Sequence, residues 1–208
     1  MLHRRKGEID MKSMIVAEKP QYMKSVASGE KDIEIRTWKV PLGTVLYFYE
    51  SKGKKYKGFI GYNGVKYDTE YEGRGKVVAK AVVKENHKLM FNNVLDMVYS
   101  DKLAYNDIKR RAKVDITYFE PEKEYWALGL SNVQEIEPRD ITEFVSWSKL
   151  DKAYDDRVEW CYRQGMFPPM TREQWMEQAN CIDDETLEEC NLTNAPQSRV
   201  WIYEEETK

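Results

Sequence analysis

Lys31, Glu34 and Arg36 place an amine, a carboxylate and a guanidinium within one short run, Gly29-Glu30-Lys31-Asp32-Ile33-Glu34-Ile35-Arg36. The run alternates. On a period-2 strand Ile33 and Ile35 point to one side, and Glu34, Arg36 and Trp38 to the other. Arg36 offers a planar fork suited to phosphate or carboxylate. Lys31, partly desolvated beside Arg36, is expected to have a lowered pKa and to act as a base. Glu34 is placed to orient either cation or to accept a hydrogen bond from a base amino group. Lys31 and Glu34 are therefore the catalytic candidates and Arg36 a ligand-binding one. The same residues also fit a half-exposed strand with one cross-strand ion pair, worth at most about 1 kcal/mol.

Further candidates are aromatic or basic. Trp38, Tyr47 and Tyr49 are possible stacking residues for a base, although rings in strands also serve as packing. Lys19, Lys52, Gln197 and Ser198 complete the ligand-binding set, the last two standing where a closing strand begins. Short polar residues there read a base edge or satisfy loop backbone groups. The segment KGKKYKGFIGYNGVKY interleaves Lys54, Lys55, Lys57 and Lys66 with Tyr56, Tyr62 and Tyr67. Such a ribbon tracks the phosphates of a single strand, or carries lysine simply to keep its edges from aggregating.

These residues need elements to position them. Met14–Ala17 reads as a short buried strand, and Pro20 opens a helix with Tyr22, Met23, Val26 and Ala27 at helical spacing. Gly29 is the expected left-handed cap. Val45–Tyr49 is a strand buried on both faces, or one with aromatics lining something. Asn63-Gly64 marks a hairpin pairing Tyr56–Tyr62 with Val65–Tyr71. GKVVAKAVV is a strand, residues 92–112 are helical in character, and EYWALGLSNVQEI is a long strand. A helix through Leu150, Tyr154, Val158 and Cys161 stops at Gly165. TREQ is a capping box opening another helix, DDETLEEC starts a third, and APQSRVWIY closes as a strand. Because that last strand needs an earlier partner, the helical stretch at 148–190 is expected to be an insertion into one domain spanning 14–203. The ribbon, 52–76, is a second insertion, flanked overall by an N-terminal arm (1–13) and an acidic tail (204–208).

The 208 residues suffice to bury a real core, and 33% charged with 41% apolar residues fits a soluble globular chain. No apolar run approaches the roughly 20 residues of a membrane span, nor does the N-terminus carry a secretory signal, so a cytoplasmic location is expected. The net charge of −3 excludes a globally basic nucleic-acid binder, while Ser51–Lys88 is lysine-rich. Cys161, Cys181 and Cys190 read as reduced thiols, and His3 and His87 are too few and too distant for a zinc site. Phosphate-loop, dinucleotide, zinc-protease and serine-hydrolase motifs are absent from the sequence.

The run Gly29, Lys31, Glu34, Arg36 matches the Gly-x-Lys-x-x-Glu-x-Arg signature of the ASCH family. With VLYFYESK, GKVVAKAVV, YWALGLSNVQEI and APQSRVWIY in order, residues 14–147 and 194–203 resemble that family. The resemblance implies an α+β, PUA-like small mixed β-barrel with helices packed over a cleft, the Glu34/Arg36/Trp38 side forming the cleft floor. It implies binding of RNA or a nucleotide-like ligand; no cofactor, metal or membrane partner is expected. One branch hydrolyses N4-acetylcytidine, and some members are reported as nucleases, so a hydrolase is the alternative. In that hydrolase branch the lysine works with a threonine three residues on and a glutamate from a later strand. This chain has Glu34 at the first position and Lys80 where the acid is expected, with Glu85 the nearest later carboxylate. A third reading is a protein-interaction module using 148–190.

Overall fold

A computed structural model describes residues 13–52, 59–60, 66–67, 72–92, 97–114, 118–120, 122–166, 171–177 and 184–203. Strand β1 (Ser13–Glu18) lies between β3 (Val45–Glu50), to which it is parallel, and the antiparallel β10 (Arg199–Tyr203). Helix α1 (Pro20–Ala27) and β2 (Ile33–Arg36) fall between the two parallel strands in sequence. The proline sits in the first turn of α1, and Gly29 adopts φ +74°, the left-handed turn that a side chain would strain.

The full order is β2-β8-β6-β3-β1-β10-β9, with β6 covering Lys76–Asn92, β8 Tyr125–Arg139 and β9 Val145–Ser146. A short strand, β7 (Met97–Tyr99), folds back onto β6. The described strands form an α+β sheet that backbone pairing does not close: β2 is one edge and β9 the other. Of the expected fold, the α+β class is present, and among the described residues the strands form an open sheet. Register shifts along β6 and β8, between Val77 and Ala79, Lys80 and Val82, and Val83 and Glu85, provide bulges that bend the pair.

Both faces are covered, which explains the uninterrupted apolar runs. On one face Met14, Val16, Leu46 and Phe48 pack with Met23 and Val26 of α1. On the other, Ile15, Tyr47 and Tyr49 pack with Ile141, Phe144, Leu192 and Ile202. Ile33 and Ile35 join Leu89, Val98 and Ala127 beneath α2 (Tyr105–Ala112), the core face expected of them. The single turn Ile141–Glu143 is held by a reciprocal box in which Asp140 and Glu143 cap each other's backbone.

The region 92–112 is only partly helical. Val98 pairs with Phe91 and Met97 with Asn92, so this part is a hairpin strand, and helix begins at Tyr105. A long partner strand decides this, and local spacing does not reveal it. The ribbon appears as β4 (Phe59–Ile60) against β5 (Lys66–Tyr67), paired Phe59 with Tyr67 and Ile60 with Lys66. Asn63-Gly64, the arm before Ser13, Cys181 and the tail lie outside the described residues.

Helices α3 (Trp147–Arg163), α4 (Arg172–Glu177) and α5 (Asp184–Cys190) meet around Leu150, Trp175 and Cys190, against Val145, Trp147 and Tyr203. Trp175 Nε1 donates to Leu150 O at 3.2 Å. Thr171 and Gln174 form the expected box: Gln174 N donates to Thr171 Oγ1 at 3.2 Å, and Thr171 N to Gln174 Oε1 at 2.8 Å. Trp147 and Trp175 therefore pack, whereas Trp160 is exposed on α3. No described helix is long and apolar enough to cross a membrane.

Candidate functional site: a buried charge network and its rim

Lys31 ends the loop after α1, and its chain reaches back to the end of β1. Lys31 Nζ donates to Glu18 Oε2 at 2.8 Å and to Glu34 Oε2 at 2.7 Å. Arg36 Nε lies 3.0 Å from Glu34 Oε1, an ion pair without a well-directed hydrogen bond, and its Nη2 is 3.8 Å from Glu18 Oε2. Arg36 Nη2 also donates to Ala17 O at 2.8 Å. Two cations and two carboxylates thus form a neutral quartet. It ties β2, the sheet edge, to β1 by side chains where no backbone ladder joins them.

The quartet is sealed. Lys31 is 4% exposed, Glu34 2% and Glu18 7%. Only the Arg36 side chain, at 15%, keeps appreciable contact with solvent among the four. The Glu34 side of β2 is consequently a buried interior, not the floor of an open cleft.

Charge follows from this packing. Burial works against the Lys31 ammonium, but Glu18 and Glu34 outweigh it and hold its pKa above the ordinary lysine value. The lowered pKa expected of Lys31 is overturned by those two carboxylates. Burial likewise opposes the Glu18 carboxylate, yet Lys31 and Arg36 prevail and bring it down to about 2. Glu34 moves up, because burial and the neighbouring Glu18 charge outweigh Arg36 and Lys31. Burial also resists the charge of Arg36, and Glu34 with Glu18 reverses this. The Lys31 ammonium stands 5.2 Å from the Tyr22 ring centroid. Tyr118 lies beside the network, where burial of its hydroxyl and the Glu34 charge push its pKa up to about 12.

Outside the seal is a rim of indoles and cations. The Arg36 guanidinium is 5.9 Å from the Trp38 ring centroid, and that of Arg199 is 4.4 Å from it. Lys39 Nζ stands 5.3 Å from the Trp126 ring. Trp38, Trp126 and Trp201 are partly buried against the α1-side core. Gln197 and Ser198 are exposed at the start of β10, and Ser198 O accepts from Ala17 N at 3.0 Å. They therefore sit beside the carbonyl that Arg36 grips.

The other candidates are distributed unevenly. Lys19 is exposed at the start of α1, and its backbone N–H donates to Glu18 Oε1 at 2.9 Å. Lys52 is exposed, with its stem against Gly75 at the base of the ribbon. Tyr47 and Tyr49, 3% and 6% exposed, belong to the opposite core face, Tyr47 edge-on to Phe144 at 5.6 Å. They pack, and the ligand-binding expectation for both is overturned. Lys54, Lys55, Tyr56, Lys57 and Tyr62 lie outside the described residues; Lys66 lies in β5. Glu85 is not in the network: it meets His87 Nε2 at 3.1 Å. Among the described residues there is no cluster of potential metal ligands.

Sequence reasoning missed Glu18 and Arg199. Glu18 had a signal, since a carboxylate ending a wholly apolar strand must find a cation or hydrogen-bond donors when buried. Arg199 had none of its own.

No family model matches the sequence, and neither does a curated protein. Three solved structures are similar, all of ASCH from Zymomonas mobilis. The first has 17% identity and a TM-score of 0.43, covering 83% of this chain and 96% of that one. Two structures of single-residue variants of that protein have 16% identity and TM-scores of 0.41 and 0.42. They cover 82% of this chain and 98% and 96% of theirs.

Proposed function

We propose that this chain is a nucleic-acid- or nucleotide-binding domain of the ASCH type, working as a reader and not as a hydrolase. The signature resemblance of Gly29, Lys31, Glu34 and Arg36 supports the class of ligand. One observation supports the absence of chemistry: the Lys31 ammonium is held by two buried carboxylates and kept protonated. A lysine so placed neither abstracts a proton at neutral pH nor attacks a carbonyl. Lys31 and Glu34 then hold the seam, while Arg36 and Trp38, with Gln197 and Ser198 alongside, meet the ligand. Arg36 supplies a fork for phosphate and Trp38 a flat face for a base.

A second reading has one observation in its favour. Glu18 and Glu34 are neighbouring carboxyls whose pKa values move in opposite directions, a pattern also found where an acid and a base work together. An amidohydrolase or ribonuclease using Glu34 as the acid is the enzyme it would make.

The deciding experiment incubates the protein with single-stranded RNA and with N4-acetylcytidine at low and high salt, following binding and products together. Salt-sensitive binding without product, weakened by Trp38→Leu, is the expected result. Deacetylation or strand cleavage that disappears in Glu34→Gln would overturn the reader and establish the hydrolase. Binding of neither compound would leave α3–α5 as the surface to test for a protein partner.

A further inference from the structure

We propose that Trp126 is a second stacking position beside Trp38, so that the rim is a track for at least two consecutive nucleotides of a single strand. This rests on the nucleotide-binding reading of the rim and deepens it: the ligand is an oligonucleotide, not a free nucleoside.

The register places the rings. Arg36 of β2 stands directly opposite Trp126 of β8, and opposite residues share a face. Trp38, two residues beyond Arg36, follows it onto the same side, as its contact with the Arg36 guanidinium shows. Trp38, just past the end of β2, and Trp126 are therefore both neighbours of Arg36 on one face. Both indoles are backed by the same core cluster, which fixes them as platforms.

The cations point the same way. Arg199 lies on Trp38 and Lys39 on Trp126, and neither has a carboxylate partner among the described residues. Elsewhere in the chain Arg111 holds Asp32, Arg139 holds Glu143 and Arg163 holds Glu159. Glu124, two residues before Trp126, is already taken by Lys88. A cation resting on the open face of a partly buried ring, with no carboxylate to hold it, is readily exchanged. When a strand arrives, each cation swings to a phosphate and each freed indole receives a base. An acidic peptide would use the charges and leave two flat faces unused; a strand of nucleic acid uses both.

The test is fluorescence anisotropy with labelled oligouridylates from dinucleotide to hexanucleotide, and with uridine monophosphate as competitor, between about 50 and 200 mM salt. Trp126→Leu is expected to weaken tetranucleotide binding roughly five- to hundred-fold while leaving the mononucleotide unaffected. Lys39→Ala, at an exposed position, is expected to reduce the slope of log affinity against log salt by about 0.7. It keeps the test alive if a thermal melt finds Trp126→Leu unfolded. Wild-type behaviour of both variants, with Trp38→Leu impaired, would overturn the second position and leave the rim reading standing. Equal affinity for mononucleotide and tetranucleotide would overturn the track as well. A wild type that binds neither, or binds anionic vesicles instead, would overturn both readings.

Discussion

Replacing Lys31 by methionine removes the cation at the centre of the quartet while keeping its stem. Two charge-assisted hydrogen bonds, 2.8 and 2.7 Å long, disappear, and the carboxylates they served are too deeply buried to be rehydrated. Arg36 compensates one of them, at 3.0 Å from Glu34, and leaves Glu18 at 3.8 Å with partial cover. One buried negative charge is therefore unmatched. Breaking a buried pair in this way costs about 3–5 kcal/mol, whereas an exposed pair costs about 1 kcal/mol or less. With a urea slope of about 3 kcal/mol/M, the unfolding midpoint should fall by roughly 1–1.7 M. The loss should shrink as pH falls, because the Glu34 carboxyl, already shifted upward, takes up a proton in place of its lost partner. Combining Lys31→Met with Glu18→Gln should recover part of the loss, as a coupling of about 0.5–3 kcal/mol. A midpoint shift below about 0.3 M, or strict additivity of the two changes, would refute the argument that these groups form one buried unit.

Three further outcomes follow from the same geometry. Glu18 titrates from 4.5 in the unfolded chain to about 2 in the fold, on the order of 3 kcal/mol of stability. Because its pKa is depressed, that contribution is present above pH 4.5 and is lost as pH falls through about 2. Glu34, shifted the other way, offsets part of it as pH rises past 4.5. Urea midpoints between pH 5 and pH 2 should decline steeply for wild type and less for Glu18→Gln, and parallel curves would sink the assignment. Tyr47→Phe should leave ligand affinity unchanged, while Tyr47→Ala should cost about 3–5 kcal/mol by emptying space against Phe144. An affinity loss in folded Tyr47→Phe would return that residue to the ligand surface. Glu34→Thr should lower the Lys31 pKa, since Glu18 alone then opposes the cost of burial. Peptide mapping after acylation should find Lys31 modified at a lower pH than in wild type, and unchanged labelling would count against the two-carboxylate account.

Local signals were legible where local physics decides. Pro20 and Gly29 bounded a helix, Thr171 and Gln174 closed a capping box, and Ile33 with Ile35 found the core. Long-range facts were not. Val94, Leu95 and Val98 suit a helix by spacing, yet the partner strand through Phe91 makes Val98 part of a hairpin. The alternation of Ile with Glu and Arg was read correctly as two faces, but periodicity cannot tell whether the second face is open. Here Lys31 and Arg36 close on Glu34, and a strand of mixed polarity becomes buried on both sides. The same ambiguity applied to Val45–Tyr49, where cover on the far side by Phe144 and Ile141 turned possible platforms into packing. Lys31 was read with the opposite electrostatics, because Glu18 lies thirteen residues away in sequence.

That inversion bears on how such a site recognises a ligand. The quartet sums to zero, so it exerts little net pull on an approaching phosphate, and three of its members are out of reach. Arg36 bridges the two environments: its charge is already matched by Glu34 and Glu18, while its outer edge remains at the surface. What it would offer the proposed ligand is direction, a guanidinium whose plane is fixed by the carbonyl of Ala17 and the carboxylate of Glu34. In the proposed reading attraction comes from cations whose charge is not yet matched, and among the described residues of this rim those are Arg199 and Lys39, resting on indoles. A fixed fork without net charge and mobile charges without fixed geometry complement each other. The salt dependence of binding should therefore belong to Arg199 and Lys39, and its geometric selectivity to Arg36 and the rings.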